Sequence, residues 1–161
     1  MKSILIFLFI SSIVNITAQT TVEISELMPW DDSSWTGKLM YVNYSDGKEV
    51  ELRTTMQMKL KGNQVIMETQ YTDETDANSK SVIRLKKGGT YFGDEEIIGK
   101  RKNKDDTLTI HTMFKGKDDN RQATIYKTYE FGAKNIIITK KVQYDDSEEK
   151  LIRNRYSYSR F

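Results

Sequence analysis

Strict two-residue alternation is the feature that most constrains how this 161-residue chain can fold. In residues 49–60, apolar or small side chains alternate with charged and polar ones without a break. Successive side chains of a β-strand point to opposite faces, so this pattern predicts a long strand with one buried face. A helix would place its apolar residues three and four positions apart instead.

Similar β-rich stretches follow one another along the chain, at residues 35–44, 64–71, 80–87, 107–114, 121–131, 135–144 and 150–161, with a weaker one at 90–101. Short segments rich in Gly, Asn and Asp separate them, which are the residues that tight hairpin turns require. The turns recur too closely for a crossover helix between strands. Residues 21–30, which contain the single proline Pro29, fit a short strand or a helical turn. The sequence therefore predicts an all-β fold, an antiparallel up-and-down meander of 8–10 strands closed into a soluble barrel, since closure removes exposed strand edges.

The first residues have the order of a secretory signal peptide. Lys2 supplies a positive charge, an unbroken apolar run extends from Ile4 to Ile10, and Ala18 offers a small residue for cleavage before Gln19. Asn15 interrupts this run before it reaches the ~20 apolar residues of a membrane span. We therefore expect residues 1–18 to be a signal peptide and residues 19–161 to form a single β-barrel domain, exported to the periplasm or secreted, with no membrane span after cleavage.

Composition excludes several kinds of chemistry. The chain has no cysteine, which rules out disulfides, thiolate metal sites and a cysteine nucleophile. Without residues 1–18 it carries 24 Lys and Arg against 23 Asp and Glu, a net charge of +1. Nucleic-acid partners call for a strongly basic face. We expect no nucleic-acid partner.

An outer-membrane barrel is the first alternative, because such barrels alternate too and Phe161 is a typical terminal residue for them. Lys127 and Lys140 argue against it. Both share the parity of apolar residues on their strands, and a lysine at the lipid-facing midplane costs about 2–4 kcal/mol. A small outer-membrane barrel is therefore the less favoured interpretation.

A tryptophan at the start of the first long strand, in the segment Trp35-Thr36-Gly37, and an arginine-rich final strand resemble the calycin group, which includes lipocalins and fatty-acid-binding proteins. The resemblance implies that Trp35 closes the barrel floor beneath an arginine of the last strand, in a cation–π contact. It marks Trp35, Gly37, Arg153 and Arg155 as structural residues.

The two lysines also suggest a binding site. If their faces point inward, two ammonium groups lie inside an otherwise apolar barrel, together with tyrosines of the last strand and adaptable methionines. A lysine near the rim that reaches water, or a β-bulge that switches parity, remains an alternative. The predicted ligand-binding residues are Lys127, Lys140, Tyr156, Tyr158, Arg160, Met56 and Met58. We expect an exported, lipocalin-like protein that binds a small apolar or amphiphilic anionic ligand in its lumen, without cofactor, metal or enzymatic activity.

Three other interpretations stay open or are disfavoured. A cell-envelope structural or interaction module with a filled barrel would bind no ligand. His111, the only histidine, would suit a heme-binding barrel as an axial ligand, but its parity favours the polar outer face of a strand. Acidic pairs at 105–106, 118–119 and 145–146 are interpreted as turn residues rather than as a calcium or glycosidase site.

Overall fold

The computed structural model describes residues 20–160, so the predicted signal peptide and Phe161 lie outside the described residues. Three short 3₁₀ helices, Ile24–Trp30, Thr75–Ala77 and Lys87–Gly89, accompany ten strands. The strands are β1 (Ser33–Val42), β2 (Glu49–Lys61), β3 (Gln64–Tyr71), β4 (Ser79–Lys86), β5 (Tyr91–Phe92), β6 (Glu95–Lys102), β7 (Leu108–Asp118), β8 (Arg121–Phe131), β9 (Asn135–Tyr144) and β10 (Leu151–Ser159). Among residues 20–160, no helix has the length and apolarity needed to cross a bilayer.

The ten strands form one closed antiparallel barrel in sequence order, which confirms the predicted meander and its closure. β1 closes the barrel against β10 in a register that runs from Thr36 opposite Ser159 to Tyr41 opposite Asn154. The weak stretch at 90–101 forms the two strands β5 and β6, and β5 holds only two residue pairs to each neighbour. The barrel wall therefore has its sparsest strand pairing between β4 and β6, a region that we call the thin wall.

The alternation of β2 separates inside from outside. Thr54, Met56 and Met58 are buried, whereas Arg53 and Gln57 on the opposite face are exposed. The same inward row continues on each neighbour, for example Trp35 of β1 opposite Met56. On β2, the apolar side chains thus face the interior and the charged ones face outward.

One end of the barrel, which we call the floor, is covered by the helix Ile24–Trp30. A reciprocal capping box between Glu23 and Glu26 starts this helix. Trp30 packs against Phe131 with ring centroids 5.4 Å apart, and its Nε1–H donates to the carbonyl of Gly132 at 2.8 Å. The helix is therefore part of the main core.

Trp35 lies at the floor beneath an arginine, as the calycin resemblance implies, but the arginine is Arg160. Its guanidinium carbon lies 4.6 Å from the Trp35 ring centroid, and its Nε donates to the carbonyl of Ala133 at 3.0 Å. Arg155 instead donates to Thr139 on the neighbouring strand. The choice of Arg153 and Arg155 is therefore wrong, because the stacking arginine lies one residue beyond the end of β10.

Gly37 sits where β1 and β10 close the barrel. A Cβ at this position would lie 2.1 Å from the carbonyl oxygen of Ser157 and 2.7 Å from the Cα of Tyr158, both backbone atoms that cannot rotate away. We expect Gly37→Ala to lower the free energy of unfolding by about 1–3 kcal/mol, because the closing strands must separate. Urea denaturation measures this. Gly116→Ala is the matched control, since its Cβ meets only side-chain atoms at 3.3 Å or more; equal losses in both variants would contradict the close-approach explanation.

Candidate functional site in the barrel lumen

The interior beyond the floor contains a cavity of about 530 Å³, which we call the lumen. Its size lies within the range of small-molecule sites, ~300–1,000 Å³. Apolar and polar residues share its wall: Met56, Met67, Ile83, Phe114, Ile125, Tyr129, Ile138, Tyr156, Tyr158, Thr69, Ser79, Ser81, Asn154, Glu95, Lys117, Lys127 and Lys140. The lumen is therefore amphiphilic rather than purely apolar.

Lys127 points into the lumen and forms an ion pair with Glu95, whose side chain is 12% exposed. The other oxygen of this carboxylate accepts hydrogen bonds from Thr112 at 2.6 Å and from Tyr129 at 3.0 Å. Burial and the adjacent Glu95 charge raise the pKa of Tyr129 well above its ordinary value. Tyr129 is therefore a fixed donor that holds Glu95 in place beside Lys127.

Lys140 also points inward, next to Lys127 on the adjoining strand, and donates to Asp118 at 2.7 Å. Asp118 is 1% exposed at its side chain and accepts three further hydrogen bonds, from Arg153 at 2.8 Å, Tyr44 at 2.7 Å and Tyr144 at 3.1 Å. Burial alone would raise the pKa of Asp118, but these donors lower it well below its ordinary value. Asp118 is thus an ionised carboxylate shared by two cations.

Arg153 reaches Asp118 because a β-bulge between Ile152 and Asn154 shifts the register of β10. The strict alternation of the sequence would place Arg153 on the same outer face as Arg155. The bulge adds one residue and turns the Arg153 side chain toward the ion pair, with its guanidinium 4.0 Å from the Tyr44 ring centroid.

Three tyrosines, Tyr71 of β3 and Tyr156 and Tyr158 of β10, form a connected row beside the lumen. The hydroxyls of Tyr71 and Tyr156 are hydrogen-bonded at 2.7 Å, and the rings of Tyr156 and Tyr158 stack with centroids 5.8 Å apart. Burial and the hydrogen bond to Tyr71 raise the pKa of Tyr156, so its hydroxyl keeps its proton at neutral pH.

The structure brings together most residues that the sequence proposed as ligand contacts. Five of them line the lumen, namely Lys127, Lys140, Tyr156, Tyr158 and Met56. Two do not: Met58 is fully buried near the floor and Arg160 stacks on Trp35. His111 is exposed on the outer face of β7, where its Nδ1 lies 3.1 Å from Thr128, so its ring does not reach the lumen.

Glu95 and Asp118 are the site residues that sequence reasoning missed. The prediction that Asp118 is a turn residue is wrong, because β7 extends through it and only Asp119 and Asn120 form the turn. The alternation contains a signal for this, since Asp118 shares its parity with Phe114 and Gly116, whereas the exposed Lys115 has the opposite parity. Glu95 likewise shares its parity with the buried Ile97.

A second hollow of about 350 Å³ adjoins the lumen at the thin wall between β4 and β6. It shares Ser81, Ile83, Glu95 and Phe114 with the lumen wall. The lumen is thus bordered by an indentation of the outer surface where strand pairing is sparse.

Comparison of the chain with protein-family models, with curated proteins and with solved structures finds no match. Within the part of the chain that the structure describes, no group of three or more His, Asp or Glu side chains is arranged to hold a metal ion. The geometry of the lumen therefore carries the functional argument.

Proposed function

We propose that this protein is an exported, calycin-like binding protein that holds a small amphiphilic anion in its barrel lumen. The observation that carries the proposal is the lumen of about 530 Å³, lined by apolar side chains together with inward-facing cations. A filled barrel with a purely structural role is the alternative, and a cavity of this size argues against it.

The charge of the lumen supports an anion. Four cationic side chains (Lys117, Lys127, Lys140 and Arg153) lie in or just behind its wall, against the two carboxylates Glu95 and Asp118. The excess of positive charge lies at a partly buried wall, where the side chains of Lys127 and Lys140 are 28% and 22% exposed and electrostatic attraction is stronger than in bulk water. An apolar ligand with one negative group satisfies both the apolar wall and this excess.

Three further features support the rest of the proposal. The stacking of Arg160 on Trp35 at the floor is the contact expected of a calycin barrel. Export rests on the signal-like sequence of residues 1–18. The indentation between β4 and β6 offers a path by which a ligand could enter through the barrel wall.

A fluorescence titration with anilinonaphthalene sulfonate, an anionic amphiphile that brightens in apolar surroundings, tests the proposal. We expect one molecule to bind per chain in the micromolar range and saturated fatty acids to displace it. Native mass spectrometry of the protein isolated from its own host should show the mass of a bound small molecule. Absence of binding across anionic amphiphiles of eight to sixteen carbons, together with a ligand-free mass, would refute the proposal.

A further inference from the structure

We propose that the anionic head group of the ligand binds at Lys140, Asn154 and Tyr156, which we call the head-group site, and not at Lys127. This inference rests on the proposed function and assigns the ligand's orientation within the lumen. The ligand class it defines is a carboxylate-type amphiphile with a single negative charge.

Lys127 and Lys140 differ in whether a carboxylate fully balances the local positive charge. Lys127 and Glu95 form a one-to-one pair, which is locally neutral. Asp118, in contrast, is shared by Lys140 and Arg153, so this cluster keeps one positive charge without a counter-ion. Arg153 does not line the lumen, whereas Lys140 does. The uncompensated charge is therefore presented to a ligand through the Lys140 ammonium, which has three N–H donors and gives one to Asp118.

Unused hydrogen-bond donors cluster around the same lysine. Asn154 lies directly opposite Lys140 in the β9–β10 register and lines the lumen. Asn154 is half-buried, and within residues 20–160 its side-chain amide makes no hydrogen bond, so its N–H groups are free to donate to a ligand. The hydroxyl groups of Tyr71 and Tyr156 carry one proton each. The hydrogen bond between them uses one of these protons, so the other can be donated to a ligand.

The apolar part of the lumen lies on the floor side of this site. Along β9, Ile136 belongs to the buried core, Ile138 follows it, and Lys140 is the next inward residue toward the opposite end. Each step of two residues advances about 6.6–6.8 Å along the strand. A ligand with its head at Lys140 therefore directs its tail toward Met56, Met67 and Ile138, where the wall is apolar.

The test compares decanoate with decanol, which share a tail and differ in charge, in competition with the neutral probe N-phenylnaphthylamine. We expect Lys140→Gln to weaken decanoate binding about 10- to 100-fold, as for loss of a charged hydrogen bond, with decanol changed less than about threefold. After this substitution Asp118 keeps Arg153 as its counter-ion, so the fold should persist. Asn154→Leu alters no charge, and we expect it to weaken decanoate about 3- to 10-fold.

The comparison variant is the double substitution Glu95→Gln with Lys127→Gln, which removes the other lumen lysine without changing the net charge. We expect it to weaken decanoate binding less than Lys140→Gln does, because it removes a neutral ion pair. The head-group site is overturned if this variant loses as much decanoate affinity as Lys140→Gln, or if Lys140→Gln and Asn154→Leu affect decanoate and decanol equally. Should the wild type bind neither the neutral probe nor decanoate, the proposed function itself fails.

Discussion

Replacing Asp118 with asparagine should lower the free energy of unfolding at pH 7 by about 3–5 kcal/mol. The substitution keeps the size of the side chain and removes its charge, which leaves Lys140 and Arg153 partly buried without a counter-ion. Tyr44 and Tyr144 also lose an ionised acceptor for their hydroxyl groups. Urea denaturation followed by tryptophan fluorescence measures the change.

The pH dependence of this effect has a definite sign. The folded-state pKa of Asp118 is lowered, because the cations and tyrosines outweigh the effect of burial. Its contribution is therefore fully present above the unfolded-state pKa of about 3.9 and is lost as the pH falls below that value toward the folded pKa. The stabilities of the wild type and Asp118→Asn should differ at neutral pH and converge in acid. Asp119→Asn is the matched control, since this neighbour is an exposed turn residue; a comparable loss there would mean that the turn, rather than the ion cluster, matters.

Truncating Trp30 to alanine should cost about 3–5 kcal/mol, the usual range for a buried tryptophan. The indole is 4% exposed, packs on Phe131 and donates to the Gly132 carbonyl, so the variant leaves both a cavity and an unpaired acceptor at the floor. Thermal and urea unfolding measure the loss.

Met28 provides the control on the same helix, because its side chain is 57% exposed. We expect Met28→Ala to change stability by less than about 0.5 kcal/mol. If Trp30→Ala were equally mild, the helix Ile24–Trp30 would be a loose appendage and not the closure of the barrel.

The fold was accessible from the sequence because period-two alternation and turn chemistry are local signals. Residues 64–71, 121–131 and 135–144 were predicted with the bounds that β3, β8 and β9 have. The sequence does not distinguish a strand from a helical turn at residues 24–30, because the packing of this segment on the floor depends on distant residues such as Phe131 and Gly132. The calycin resemblance predicts that an arginine stacks on Trp35. The position of the chain at the end of β10 determines that this arginine is Arg160.

Only part of the candidate site could be predicted from the sequence. Parity showed that Lys127 and Lys140 share faces with apolar residues, and both do line the lumen. Their counter-ions were missed for two physical reasons. Asp118 is predicted as a turn residue because Asp is favoured in turns, and Glu95 begins β6 directly after the two-residue strand β5, where the alternation is weak. Arg153 required a β-bulge, which strict alternation does not reveal.

The central claim is that the ligand binds inside the lumen. Placing a large side chain in this cavity tests the claim most directly. Ile138 lines the cavity, whereas its neighbour Ile137 points outward on the same strand, opposite Ser157 and Glu130. The measurement is the affinity of the neutral probe and of decanoate for Ile138→Trp and Ile137→Trp, each checked for folding by circular dichroism. The account predicts that Ile138→Trp weakens both ligands by about 100-fold or more and that Ile137→Trp stays within about threefold of wild type. Equal binding by the two folded variants would contradict it, because the ligand would then lie outside the barrel.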